Sequence, residues 1–162
     1  MLKYLNTQVT FTEVPDEITL CINITGCKNG CKNCHSSYLA QDIGKPLNKS
    51  SLSELIEGNK GVSCVSFMGG DNDAIHLVAL ASWVKTHTNL KVAWYSGRQE
   101  LAGIVARQLQ WFDFIKLGPY KEEFGPLNSR TTNQRFYKVS DGELVDITSR
   151  FYDRNLETCS GI

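Results

Sequence analysis

Four apolar, strand-like runs separated by helical stretches are the feature that most constrains this chain: Ile18 to Thr25, Val62 to Phe67, Leu90 to Tyr95 and Phe112 to Leu117. Between the second and third, Ile75, Leu77, Val78, Leu80, Ala81 and Val84 recur at helical spacing from Ala74 to about Lys85. The capping box Ser51-Leu52-Ser53-Glu54 predicts a short helix ending near Gly58, and a further helix is expected from about Gln99 to Leu109. Strands alternating with helices make βαβ units, so an α/β fold with mostly parallel strands is expected. A complete (β/α) barrel takes roughly 250 residues. With 162 residues, this chain can supply only a partial, open (β/α) barrel.

The two ends read differently. Residues 1–17 form an N-terminal hairpin or edge segment, in which Gln8 to Glu13 returns through Pro15-Asp16 to the first apolar run. Residues 118–132 show no periodicity and are expected as a long loop, of the kind that is functional or disordered. Residues 133–162 are expected as a hairpin and tail, with Gln134 to Val139 and Glu143 to Ile147 flanking Ser140-Asp141-Gly142. At 41% hydrophobic the chain can bury one core, so 1–162 reads as a single domain. Seventeen basic and seventeen acidic residues cancel, which argues against nucleic acid or an anionic membrane as partner. The start, Met1-Leu2-Lys3-Tyr4, has no basic stretch before an apolar core, and apolar runs such as Leu77 to Ala81 are far too short to span a bilayer. A soluble, cytoplasmic protein is expected.

Ligands of parallel sheets gather at the carboxyl ends of the strands, and there this sequence puts its unusual loops. The first carries Cys27-x3-Cys31-x2-Cys34. Three thiolates so close can hold three irons of a cubane cluster and leave the fourth open to a substrate. The rival is structural zinc, with His35 or Cys21 as fourth ligand, although zinc sites usually combine two ligand pairs and no second pair exists here. Cys21 and Cys64 lie within strands and read as small apolar residues, while Cys159 reads as a free thiol in the tail. The second loop carries Gly69-Gly70-Asp71, where missing Cβ atoms let backbone approach a ligand and Asp71 can accept from an ammonium. Taken alone, the same turn could simply open a helix with Asp71 or Asn72 as N-cap. The third loop offers Ser96 and Gly97 as ribose or carboxylate contacts. His76 and His87 belong to a helix and receive no site role; Trp83, Trp94 and Trp111 read as core or interface.

The C-x3-C-x2-C spacing followed by a Gly-Gly-acid turn resembles the radical S-adenosylmethionine superfamily. Within it, Ile24-Thr25-Gly26-Cys27, Phe114-Ile115-Lys116-Leu117-Gly118-Pro119-Tyr120 and Thr132-Asn133-Gln134-Arg135 resemble the activating proteins of anaerobic (class III) ribonucleotide reductases. The resemblance implies a partial barrel of the radical S-adenosylmethionine type. It further implies a [4Fe-4S] cluster on Cys27, Cys31 and Cys34, with S-adenosylmethionine on the fourth iron and its amino group at Gly69, Gly70 and Asp71. Asn33 and His35, where relatives often carry a small residue and an aromatic, would lie against the cofactor. The implied activity is reductive cleavage of S-adenosylmethionine to place a glycyl radical on the large reductase subunit. A flavodoxin-like or other low-potential protein is the implied reductant, residues 118–132 are a candidate docking surface, and a homodimer is compatible with the sequence. Two other classes stand beside this one: a radical enzyme acting on a small molecule, and a zinc or ferredoxin-like binding module.

Overall fold

The structure, a computed structural model, describes residues 1–34 and 36–152. Its strands are β1 (Lys3–Thr10), β2 (Thr19–Ile24), β3 (Lys45–Pro46), β4 (Cys64–Met68), β5 (Lys91–Tyr95), β6 (Phe114–Leu117), β7 (Arg135–Ser140) and β8 (Glu143–Asp146). Its α-helices are α1 (Lys49–Glu57), α2 (Ala74–His87) and α3 (Gly103–Ala106). Among the described residues all eight strands join one open sheet in the order β3-β1-β2-β4-β5-β6-β7-β8. The four apolar runs of the sequence are its parallel centre, β2-β4-β5-β6.

The sheet is mixed, which corrects the expectation of mostly parallel strands. Three pairings are parallel and four antiparallel, the latter joining β1 to β2 and β3, and β7 to β6 and β8. The cause is connection length. A parallel neighbour needs a crossover of about a dozen residues or more, whereas hairpins need only a few. Helical crossovers occur only between β2 and β6, so the flanks fold back on themselves.

Alternation along the central strands separates two faces. On one, Leu20, Ile22, Ile24, Val65, Phe67, Val92, Trp94 and Ile115 pack with Leu52 of α1 and Leu77, Leu80, Ala81 and Val84 of α2 to form the larger core. On the other, Cys64, Ala93, Phe114 and Phe136 join Val14 and Phe151 in a smaller core. Toward the carboxyl ends of the strands this second face changes character, from apolar residues to Asn23, Met68, Tyr95 and Lys116. That change locates the site. No helix among the described residues is long and apolar enough to cross a membrane.

Several local expectations shift. Helix α1 is capped by Asn48, whose side chain accepts from Ser51 N while Ser51 Oγ accepts from Asn48 N, so the capping box lies three residues before the expected one. Asparagine and serine are equally good N-caps, and here Ser51 takes the reciprocating place. Helix α2 is capped by Asp73 rather than Asp71 or Asn72, and Ile75 faces solvent outside the buried stripe. The helix expected over 99–109 contracts to Gly103–Ala106 and a separate 3-10 turn, Leu109–Trp111. Glycine is a poor interior helix residue, and Gly103 instead becomes the start.

Candidate functional site

A cavity of about 510 Å³ opens at the carboxyl ends of β2, β4, β5 and β6, within the range of small-molecule sites. Cys27, Cys31, Cys34, Gly69, Asp71, Ser96 and Gly97 all line it, together with Asn29, Met68, Tyr95 and Lys116. It is also lined by Thr12 and Glu13 of the β1–β2 loop, Pro126 to Asn128 of the late loop, and the buried Phe151. Three loops that are distant in sequence therefore share one chamber. Asn33 and Gly70 are not among its lining residues, and His35 lies outside the described residues.

The cysteine loop is anchored at its base. Thr25 donates its N–H to Lys3 O at 2.9 Å and its hydroxyl to Ile43 O at 2.7 Å. Gly26, at φ +78°, then turns the chain so that its N–H reaches Gln41 O and the N–H of Cys27 reaches Leu39 O. Cys27, Cys31 and Cys34 follow as free, half-buried thiols. Among the described residues no group of three or more His, Cys, Asp or Glu side chains forms a ready-made site for a metal ion. The three cysteines do border one chamber, and three sulfur donors are the ligand chemistry that an iron–sulfur cluster takes. Cys21 and Cys64 stand apart. Both are fully buried in strands; burial, reinforced by Glu13, pushes the Cys21 thiol up to about 11, and burial pushes Cys64 higher still. They pack as apolar residues, and neither lines the chamber. Cys159 lies outside the described residues.

The second loop is shaped by close approach. Gly69 has φ +108°, and a Cβ there would lie 3.3 Å from Ile24 O. Its N–H donates to Tyr95 O at 3.0 Å and its carbonyl accepts from the indole of Trp94 at 2.9 Å. Gly70, at φ +101°, turns toward the Leu2, Ile24 and Leu77 side chains of the core. Asp71 then bolts three loops together. Its Oδ1 accepts from Ser96 Oγ at 2.5 Å, and its Oδ2 accepts from Gly97 N and from Asn29 Nδ2, both at 2.9 Å. The oxygens expected to meet a ligand's ammonium are held by the chain itself.

Lys116 and Asn29 are among the lining residues that escaped sequence reasoning. Lys116 is buried beneath the chamber, donates to Ser96 O at 3.2 Å and Gly118 O at 2.8 Å, and lies 5.9 Å from the centre of the Tyr95 ring. Burial pushes its ammonium down to about 8, opposed by the negative charge of Asp71 and the thiolates of Cys31, Cys34 and Cys27. A lysine between Ile115 and Leu117 in a strand was the available signal. Asn29 offered none, being one polar residue in a polar loop. Asn33, with φ +57°, turns its amide outward to Glu122 Oε2 at 2.6 Å and so ties the cysteine loop to the late loop.

What this arrangement can do is bind one medium-sized ligand between soft sulfur donors, a cation and a hydrogen-bonding turn. No family model, curated protein or solved structure matches the chain.

Proposed function

We propose that this chain is a radical S-adenosylmethionine enzyme that activates an anaerobic ribonucleotide reductase, and that its open sheet is a partial barrel of that type. One observation carries the reading: Cys27, Cys31 and Cys34 line the same chamber as Gly69, Asp71, Ser96 and Gly97, at the carboxyl end of a parallel β2-β4-β5-β6 core. Cys27, Cys31 and Cys34 would hold a [4Fe-4S] cluster, which would supply the electron for reductive cleavage of S-adenosylmethionine and so the means to take hydrogen from a glycine of the large reductase subunit.

The chain's own residues have separate tasks. The cysteines hold the metal. Gly69, bare of Cβ, lets the turn after β4 pass close to Ile24 O at the end of β2 and so brings its backbone to the chamber. Lys116 offers positive charge under the chamber, where low polarity strengthens its pull on carboxylate or thiolate groups. Leu39, Met68 and Leu127 supply apolar lining that limits water around a reactive carbon radical. Thr12, Pro126 and Asn128 are exposed as well as lining the chamber, so a protein substrate would meet them there.

The test is anoxic reconstitution with iron and sulfide, then addition of a low-potential reductant and S-adenosylmethionine. The expected result is 5′-deoxyadenosine release, with a glycyl-radical spectrum only when the large reductase subunit is present. Consumption of a small molecule without that subunit would move the assignment to another radical enzyme. A chain that takes up zinc and no cluster, or a cluster indifferent to S-adenosylmethionine, would sink it.

A further inference from the structure

One side chain physically links the chamber-lining turn to a cysteine. The amide nitrogen of Asn29 lies 2.9 Å from Asp71 Oδ2 and 3.6 Å from Cys27 Sγ. The longer distance suits sulfur, whose radius exceeds that of oxygen. A carboxylate only accepts, and so does a thiolate, so the two protons of one amide nitrogen satisfy both and the orientation of the amide is dictated by its neighbours. Its location is dictated too. A Cβ on Gly97 would lie 2.4 Å from Asn29 Nδ2, so the absence of a side chain there makes the niche that the amide fills. Asp71 is itself held by Ser96 and by Gly97 N. The path runs from the third loop through Asp71 and Asn29 to a sulfur of the first.

We propose that Asn29 is a positioning residue: held by Asp71, it donates a hydrogen bond to the Cys27 sulfur and thereby raises the reduction potential of the metal centre. This rests on the reading of Cys27, Cys31 and Cys34 as cluster ligands. The physical ground is charge. Reduction adds an electron that spreads onto the ligating sulfurs, and a donor aimed at one of them stabilises the reduced form more than the oxidised form; hydrogen bonds to sulfur are among the factors that set such potentials. Because the same nitrogen bonds Asp71, a ligand that engages that carboxylate alters what Asn29 can give to Cys27. Substrate binding and cluster potential are coupled through a single amide.

The experiment uses the full chain, reconstituted without oxygen, and follows the reduced cluster by electron paramagnetic resonance as the potential is stepped, in the native protein, Asn29→Ala and Asn29→Asp. Asn29→Ala removes the donor; Asn29→Asp keeps the shape but has at most one proton, which the facing Asp71 carboxylate takes, so the donor to sulfur is lost. Both variants are expected to become harder to reduce. The oxidised-to-reduced ratio at fixed potential should rise roughly tenfold, about 59 mV for a one-electron couple, and Asn29→Asp should shift in the same direction as Asn29→Ala. If Asn29→Ala fails to retain a cluster, Asn29→Asp decides by the same criterion. Unchanged potentials at full iron content overturn the relay and leave the proposed function standing. A native chain that binds no iron–sulfur cluster overturns both.

Discussion

The indole N–H of Trp94 donates to the carbonyl of Gly69 at 2.9 Å, fastening a turn that lines the chamber to a residue buried in the helix-covered core. Trp94→Phe keeps most of the apolar bulk but leaves that carbonyl without its donor. Loss of a buried partner costs about 1–3 kcal/mol. Urea unfolding should therefore show at least about 1 kcal/mol of destabilisation with an unchanged slope. A loss near zero would mean that water replaces the indole.

The positive φ of Gly69 makes it intolerant of a side chain, whereas Gly103 is a contrasting case. Gly69→Ala puts a Cβ at φ +108° and 3.3 Å from Ile24 O, strain worth about 1–3 kcal/mol. Gly103 has an ordinary φ, a Cβ added there would meet nothing within 4 Å, and it begins α3. Gly103→Ala should stabilise by a few tenths to about 1 kcal/mol, because alanine favours helix and has fewer unfolded conformations to lose. Thermal unfolding of both variants against the native chain checks the opposite signs.

The central strands were legible because each is an apolar run delivered to a glycine or serine loop, and burial in a parallel core requires that pattern whatever surrounds it. Strand β3 was not, since it is two residues long, contains Pro46, and exists because Gly44 lets the chain pass Tyr4 O where a Cβ would lie at 2.2 Å. The cysteine loop and the Gly69–Asp71 turn stand out locally, each by an unusual residue grouping. Their joining did not, because Asp71 bonds Ser96 and Asn29 across 25 and 42 residues, and no short-range pattern records such a contact. Lys116 needed the sheet to be known before its inward direction meant anything.

Thiol chemistry separates the two kinds of cysteine. The thiolate is the nucleophile, and with the Cys21 thiol pushed up to about 11 by burial, only about one in a thousand is ionised at pH 8. An alkylating reagent at pH 8 should label Cys27, Cys31 and Cys34 in the native fold and spare Cys21 and Cys64 until urea is added, as read by peptide mass spectrometry. The same shift sets a stability slope. The folded value of Cys21 lies above its ordinary 9.0, so the folded state holds its proton longer and the contribution, complete below pH 9, is lost as pH rises toward 11. Cys21→Ala should flatten the fall in stability across that window, and an unchanged slope would contradict the burial effect.

Asn33 Nδ2 and Glu122 Oε2, 2.6 Å apart on the surface, join the loop that carries the thiols to the loop that walls the chamber. Glu122→Ala should release residues 118–132 from the cysteine loop without touching either core, so global stability should change by no more than about 0.5 kcal/mol. Trypsin offers a direct reading, because Lys121 and Arg130 lie within that segment. Cleavage there should become severalfold faster in Glu122→Ala, and equally so in Asn33→Gly, which also suits φ +57°. Since the two residues share one bond, the double variant should be cleaved no faster than either single one. Unaltered cleavage would assign the segment's order to its internal bonds, Gly125 N to Lys121 O at 3.1 Å and Thr131 Oγ1 to Phe124 O at 2.7 Å. Faster cleavage with unchanged unfolding would show that the chamber wall can open while the fold that positions the cysteines stays intact.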